Sequence, residues 1–197
     1  MSTKPKKADE TKRRIISAAK KLIRKKGFDA TSVKEITEAA GCAKGTFYLY
    51  FETKTDLLMH LIVEMQKSLT EIISKELSSI SEDPFRQIDN TLSQICLLMQ
   101  ENDLDLRLLH TGEILGFFME QKNCVDYLNA LTEKVALYIE QGIKKGYFRR
   151  LDSQLYGKLI FSMVHNILES AMLQHNPSDL VTVKNEFSII IRKILEA

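Results

Sequence analysis

Apolar residues along this chain recur at intervals of three and four, and nowhere do they alternate over a useful length. That period belongs to amphipathic helices rather than strands. Ile15, Ala18, Ala19, Leu22 and Ile23 form a first stripe, which Gly27 closes. Val33, Ile36, Ala39 and Ala40 form a short second one that stops at Gly41. A long stripe then runs from Leu57 through Leu58, Leu61, Ile62, Met65, Leu69 and Ile72. Beyond the polar break Ser81-Glu82-Asp83-Pro84, helices are expected from Pro84 to about Met99, over 104–116, over 123–145, from Asp152 to about Gln174, and from Asp179 to Leu195. The pattern predicts an all-α protein of about nine helices, with no internal repeat. The first eight residues are polar and basic and are expected to be a disordered arm.

Helix starts are marked by capping residues. Ser32 with Glu35 and Thr53 with Asp56 have the spacing in which a hydroxyl and a carboxylate satisfy each other's backbone N–H groups. Asp83 before Pro84 and Asp152 before the next apolar run can cap in the same way. Between Ser32 and Phe51 the chain therefore reads as a short helix, a tight turn at Gly41-Cys42-Ala43, and a second short helix over 44–50. A helix, a glycine-containing turn and a second helix make a helix-turn-helix, whose second helix enters the DNA major groove. The side chains fit that use. Lys44 brings a cation, Gly45 permits close backbone approach, Thr46 can bond a base edge or meet a thymine methyl, and Tyr48 and Tyr50 offer phenolic donors. Thr31 and Lys34, at the head of the preceding helix, are expected to touch phosphate. Phe47, Leu49 and Phe51 are expected to be core.

These residues also carry a family resemblance. Thr31, Ile36, Ala39 with Ala40, Gly41, Gly45, Tyr48, Tyr50, Phe51 and Lys54 closely resemble the N-terminal signature of TetR-type transcriptional repressors. Cys42 and Ala43 depart from it, standing where Val and Ser or Thr are usual, and Ala43 lacks a hydroxyl that could cap the second helix. The resemblance covers about the first quarter of the chain. It implies a helix-turn-helix domain over 1–53 and a helical ligand-binding and dimerisation domain over 54–197. It also implies that Lys54 contacts phosphate, that the chain works as a homodimer on a double-stranded DNA operator, and that a small-molecule effector releases it. A regulator without an effector, or an activator, would carry the same signature.

Charge agrees with that division. Residues 1–54 hold fourteen Lys and Arg against six Asp and Glu, a surplus of +8, which leaves −6 for the remainder of a chain whose total is +2. A basic front on an acidic body is the footprint of a nucleic-acid module joined to something else. Three cysteines without C-x-x-C spacing fit reduced thiols in a cytoplasmic protein. The basic N-terminus lacks the apolar run of a signal peptide, and no apolar stretch is long enough to span a bilayer, so no membrane partner is expected.

The second half supplies the remaining candidates. Met99, His110, Phe117, Phe118, Tyr127, Tyr138 and His165 could line a pocket for an apolar or amphipathic effector, although each alone is more often ordinary core. Leu159, Met163, Ile167, Phe187, Ile191 and Ile194 stand on two helices with more apolar positions than one internal face needs. They are expected at a four-helix dimer interface, as in the resembled family. His110-x-x-Glu113 places two possible metal ligands on one helical face, too little for a di-iron helical bundle. No phosphate loop, G-x-S-x-G, H-E-x-x-H or Cys/His cluster is present, so neither catalysis nor a metal or cofactor is expected.

Overall fold

The computed structural model describes residues 4–101, 122–173 and 177–196, and every regular element among them is a helix. In chain order these are α1 (Lys4–Lys26), α2 (Val33–Ala39), α3 (Lys44–Tyr48), α4 (Lys54–Glu76), α5 (Pro84–Glu101), α6 (Lys122–Lys144), α7 (Ser153–Leu173) and α8 (Pro177–Leu195). The helix expected over 104–116 lies outside the described residues. Two boundaries move for reasons of proline chemistry. α1 begins at Lys4, so residues 4–8 are helical rather than a disordered arm; Pro5 stands in the first turn, where its missing N–H costs no hydrogen bond. α8 starts at Pro177, ahead of Asp179, because the fixed φ of proline suits a first helical position.

The capping residues act as their spacing suggests. Asp56 Oδ2 accepts from the Thr53 N–H at 2.8 Å, and Thr53 Oγ1 accepts from the Asp56 N–H at 3.0 Å. Asp83 Oδ1 takes the Arg86 N–H and Asp152 Oδ1 the Leu155 N–H, both at 3.0 Å. Each bond satisfies a donor that a helix start would leave open.

The chain divides into two units, Met1–Glu64 and Met65–Ala197, with the division falling inside α4. In the first unit, Ile15, Ala19 and Ile23 of α1, Ile36 of α2, Phe47 of α3 and Leu57, Leu58 and Ile62 of α4 are among the buried apolar residues. In the second, α6 packs on α7, and α8 packs on both α5 and α7. The α6–α7 approach depends on Gly157: a Cβ there would lie 2.8 Å from the Ala136 Cα. Phe148, in the connector after α6, is buried against the rings of Phe85 and Tyr138, 5.5 and 6.0 Å between centroids. Gly142 leaves the room this ring occupies. Asp89 of α5 accepts from Ser188 at 2.7 Å and pairs with Lys184 of α8 at 3.0 Å, and these two bonds hold its carboxyl below the usual range.

Candidate nucleic-acid interface

The start of α2 is built from three side chains. Ser32 is in extended backbone, its hydroxyl accepts from the Glu35 N–H, and Glu35 Oε2 accepts from the Ser32 N–H at 3.0 Å. Lys26 Nζ adds a 2.6 Å bond to Glu35 Oε1. The Lys26 ammonium, followed by the Ser32 backbone N–H, holds the Glu35 carboxyl at about 2. A carboxyl depressed on folding stabilises the fold above its unfolded value of about 4.3, and that contribution fades as pH falls through the folded value. The Glu35 side-chain carboxyl carbon, followed by NMR, should therefore titrate near pH 2; a midpoint at an ordinary carboxylate value would exclude the bond to Lys26.

Gly41 ends α2 with φ +64°, a backbone that side chains strain against, and the Cys42 N–H then bonds back to the Thr37 carbonyl at 3.0 Å. Ala43 is the N-cap of α3 and provides no side-chain bond. From there the side chains part cleanly. Phe47 is fully buried, edge-on to Tyr48 at 5.5 Å and against Phe51 at 5.6 Å. Lys44 and Gly45 are exposed, Thr46 and Tyr50 are half-exposed, and Tyr48 is 48% exposed. Lys34 on α2 is also exposed, and its ion pair with Glu38, at 3.9 Å, is too long and too wet to restrain it.

Leu49, expected in the core with Phe47 and Phe51, is 80% exposed. α3 ends at Tyr48, with Leu49 as its C-cap. Phe47 and Phe51 stand four residues apart and share the inner face, while a residue two steps on from Phe47 turns about 200° away from it. The helical angle alone could have found this outward leucine.

Two of the eight expected DNA contacts turn inward. Thr31 is 1% exposed, and its hydroxyl donates to the Gly27 carbonyl at 2.7 Å. Lys54 Nζ donates to the carbonyls of Phe28 at 2.6 Å and Thr31 at 2.9 Å, with Asp29 at 3.5 Å, and rests 4.1 Å from the Phe28 ring centroid. Both side chains face the protein because the loop between α1 and α2 has carbonyls that no helix satisfies.

In the second unit a cavity of about 100 Å³ lies among α4, α5, α6, α7 and α8, with Leu69, Ile73, Met99, Tyr138, Phe161 and His165 in its wall. Three of the seven expected pocket residues are thus together there. His110, Phe117 and Phe118 lie outside the described residues. Tyr127 is not in this wall, and its hydroxyl donates to the Gln66 carbonyl at 3.4 Å. The Tyr138 ring faces the cavity, but its hydroxyl lies 3.0 Å from the Pro84 carbonyl and 2.9 Å from Gln87 Oε1, either of which can take its proton. Burial pushes this phenol well above the ordinary tyrosine range.

The six expected interface residues separate. Leu159 and Ile167 of α7 are exposed, and Met163 and Ile194 are partly so. Phe187 and Ile191 are only 2% and 3% exposed within a single chain. They lie with Leu180 and Leu195 on the inward face of α8, and Ile191 reaches the cavity wall, so this pair faces its own chain. The outward apolar residues of α8 are Val181, Ile189 and Ile190.

A family model described as bacterial regulatory proteins, tetR family, matches residues 15–61. The fatty acid metabolism regulator protein of Bacillus subtilis is 29% identical over 190 residues, covering 87% of this chain and 88% of its own. Among solved structures, the TetR family transcriptional regulator PfmR from Thermus thermophilus superposes with a TM-score of 0.71 at 22% identity, over 93% of this chain and 100% of that one. The fatty acid degradation regulator FadR from Bacillus halodurans gives 0.62 at 22% identity, over 90% and 93%.

Proposed function

We propose that this chain, a helix-turn-helix transcriptional regulator of the tetR family, is a cytoplasmic repressor that grips a near-palindromic operator as a homodimer and lets go when an apolar or amphipathic small molecule fills the cavity in its second unit. The observation that carries the DNA half is the division of α3 and the residues just after it, with Phe47 and Phe51 turned in and Lys44, Tyr48 and Leu49 turned out. Lys34 and Lys44 take phosphates, with Tyr48 and Tyr50 beside them. Thr46 reads a base edge, Leu49 meets a thymine methyl, and Gly45 lets the backbone come close. One such unit touches few bases, so two are needed, with recognition helices about 34–36 Å apart or a multiple of that. The outward apolar residues Leu155, Leu159 and Ile167 of α7 and Val181, Ile189 and Ile190 of α8 supply the dimer face. Among the described residues no helix is long and apolar enough to cross a membrane.

The effector half rests on the cavity wall, which among the described residues is aliphatic and aromatic with Thr91, Tyr138 and His165 as its few polar residues. That lining favours a lipid-like or aromatic molecule, and two of the similar proteins are named for fatty acid metabolism or degradation. Leu69 and Ile73 of α4 are in the wall, and the same helix begins at Lys54 in the DNA-binding unit. An occupant that shifts the far part of α4 therefore moves the near part. The molecule binds the DNA-incompetent shape more tightly, and operator DNA weakens it by the same factor. A full switch takes a difference of roughly 5.5 kcal/mol.

Footprinting on genomic fragments should give a protected, roughly symmetric site. Against it, Lys44→Ala and Tyr48→Ala should weaken binding to all sequences alike, whereas Thr46→Val should change which bases are preferred. Gly45→Ala meets no atom within 4 Å and has ordinary φ. It should raise thermal stability slightly, by about 0.5–1 kcal/mol, while weakening operator binding. Complete absence of a symmetric footprint would sink this reading, and a tight cavity ligand that left operator affinity unchanged would remove its effector half.

A further inference from the structure

We infer that Lys54 is a positioning residue for DNA binding, whose ammonium fastens the loop between α1 and α2 to the start of α4 and so sets where α2 stands. The inference rests on the DNA-binding reading above and departs from the phosphate contact that its place in the sequence suggests. An ammonium has three donors and no acceptor. In Lys54 these donors face three carbonyls of one loop, Phe28, Asp29 and Thr31, over distances of 2.6, 3.5 and 2.9 Å. The Phe28 ring covers the same cation at 4.1 Å. A phosphate could reach the nitrogen only by displacing part of this set.

Two further bonds tie the loop to itself. One joins the Thr31 N–H to the Phe28 carbonyl at 3.1 Å, and the other joins the Thr31 hydroxyl to the Gly27 carbonyl at 2.7 Å. The next residue, Ser32, is the N-cap of α2. Through these bonds one side chain at the head of α4, 23 residues along from Thr31, holds the last residue before the cap of the helix that carries Lys34. The desolvation of Lys54, which lowers its pKa, agrees with a cation used inside the protein. Thr31 belongs to the same device, because its hydroxyl holds the other side of the loop. A displacement of α4 is thereby passed to α2 as well as to α3.

The test compares full-length Lys54→Met, Thr31→Val and Lys44→Ala with the parent protein on the footprinted operator, across a range of salt concentrations and well below each melting temperature. Positioning predicts that Lys54→Met weakens operator binding about tenfold, the equivalent of ~1.4 kcal/mol, with the parent's slope of log K against log salt. Thr31→Val should lower affinity in the same direction, again with the parent's slope, although it leaves the lysine in place. Lys44→Ala is the contrast, since a cation that no longer neutralises a phosphate should flatten the slope by about 0.9. Amide exchange over residues 28–36 should be faster in both loop variants without DNA. A flattened slope for Lys54→Met would make Lys54 a phosphate contact and overturn the inference. Unchanged affinity in the folded variant would make it merely structural and overturn it equally. If Lys54→Met fails to fold, Thr31→Val decides alone by the same two criteria. Should the parent protein find no operator, the functional reading fails instead, and unaltered exchange over 28–36 would then count against the fastening itself.

Discussion

Phe47→Ala will abolish operator binding by unfolding the first unit, although Phe47 is not itself proposed to meet DNA. Phe47 is fully buried and lies near the end of α3, a helix of five residues. So short a helix has no stability of its own and exists only through packing. The ring is the link, set against Phe51 and Tyr48 in a unit whose other buried residues include Ile15, Ile36 and Leu58. Truncation of a buried Phe costs about 3–5 kcal/mol, a large part of the roughly 5–15 kcal/mol typical of a whole domain. Thermal unfolding followed by circular dichroism, with operator binding by fluorescence anisotropy on the same samples, checks it. Tyr48→Ala is the comparison: the half-exposed ring should be removable with little change in melting, while DNA binding falls. A Phe47→Ala protein that melts within a degree or two of the parent and still binds would contradict the packing described.

Gly157→Leu will separate α7 from α6 and destabilise the second unit by about 3 kcal/mol, at the upper end of ordinary overpacking. The obstacle is backbone: Ala136 Cα, Cβ and N lie within 2.8–2.9 Å of where the new Cβ must go. A side chain can swing aside, but a helix axis must move as a body. Even Gly157→Ala should lose more to this collision than it gains in helix propensity. In Gly142→Ala the obstacle is the Phe148 ring, a side chain, but one hemmed in by Phe85 and Tyr138. Chemical denaturation of the three variants ranks them; equal midpoints for Gly157→Leu and the parent would mean that the helices are not in the close contact described.

The features that can be read from the sequence are the local ones. Ser32, Thr53, Asp83 and Asp152 are legible as caps because each bonds a backbone group two or three residues away, and such a bond leaves a spacing in the chain. Helix existence is legible from period alone. The inward turn of Lys54 is not, since a lysine that reaches three carbonyls in an earlier loop is spelled the same as one that reaches a phosphate. α8 shows the same limit on a larger scale. Phe187 and Ile191 point into their own chain while Ile189 and Ile190 point out, and a helix apolar on both sides does not say which side is for itself. Leu49 is different, because the angle between positions 47 and 49 is there to be used and residue type misleads.

Tyr138 has an optical consequence. The chain contains six tyrosines and no tryptophan, so its near-ultraviolet absorption above the phenylalanine bands is a tyrosine spectrum. Five of those chromophores do not border the cavity. Tyr138 does, with its hydroxyl bonded into the protein and its ring in the cavity wall. A molecule that replaces empty space beside that ring changes the polarisability around one chromophore, and the cavity thus carries its own spectroscopic label.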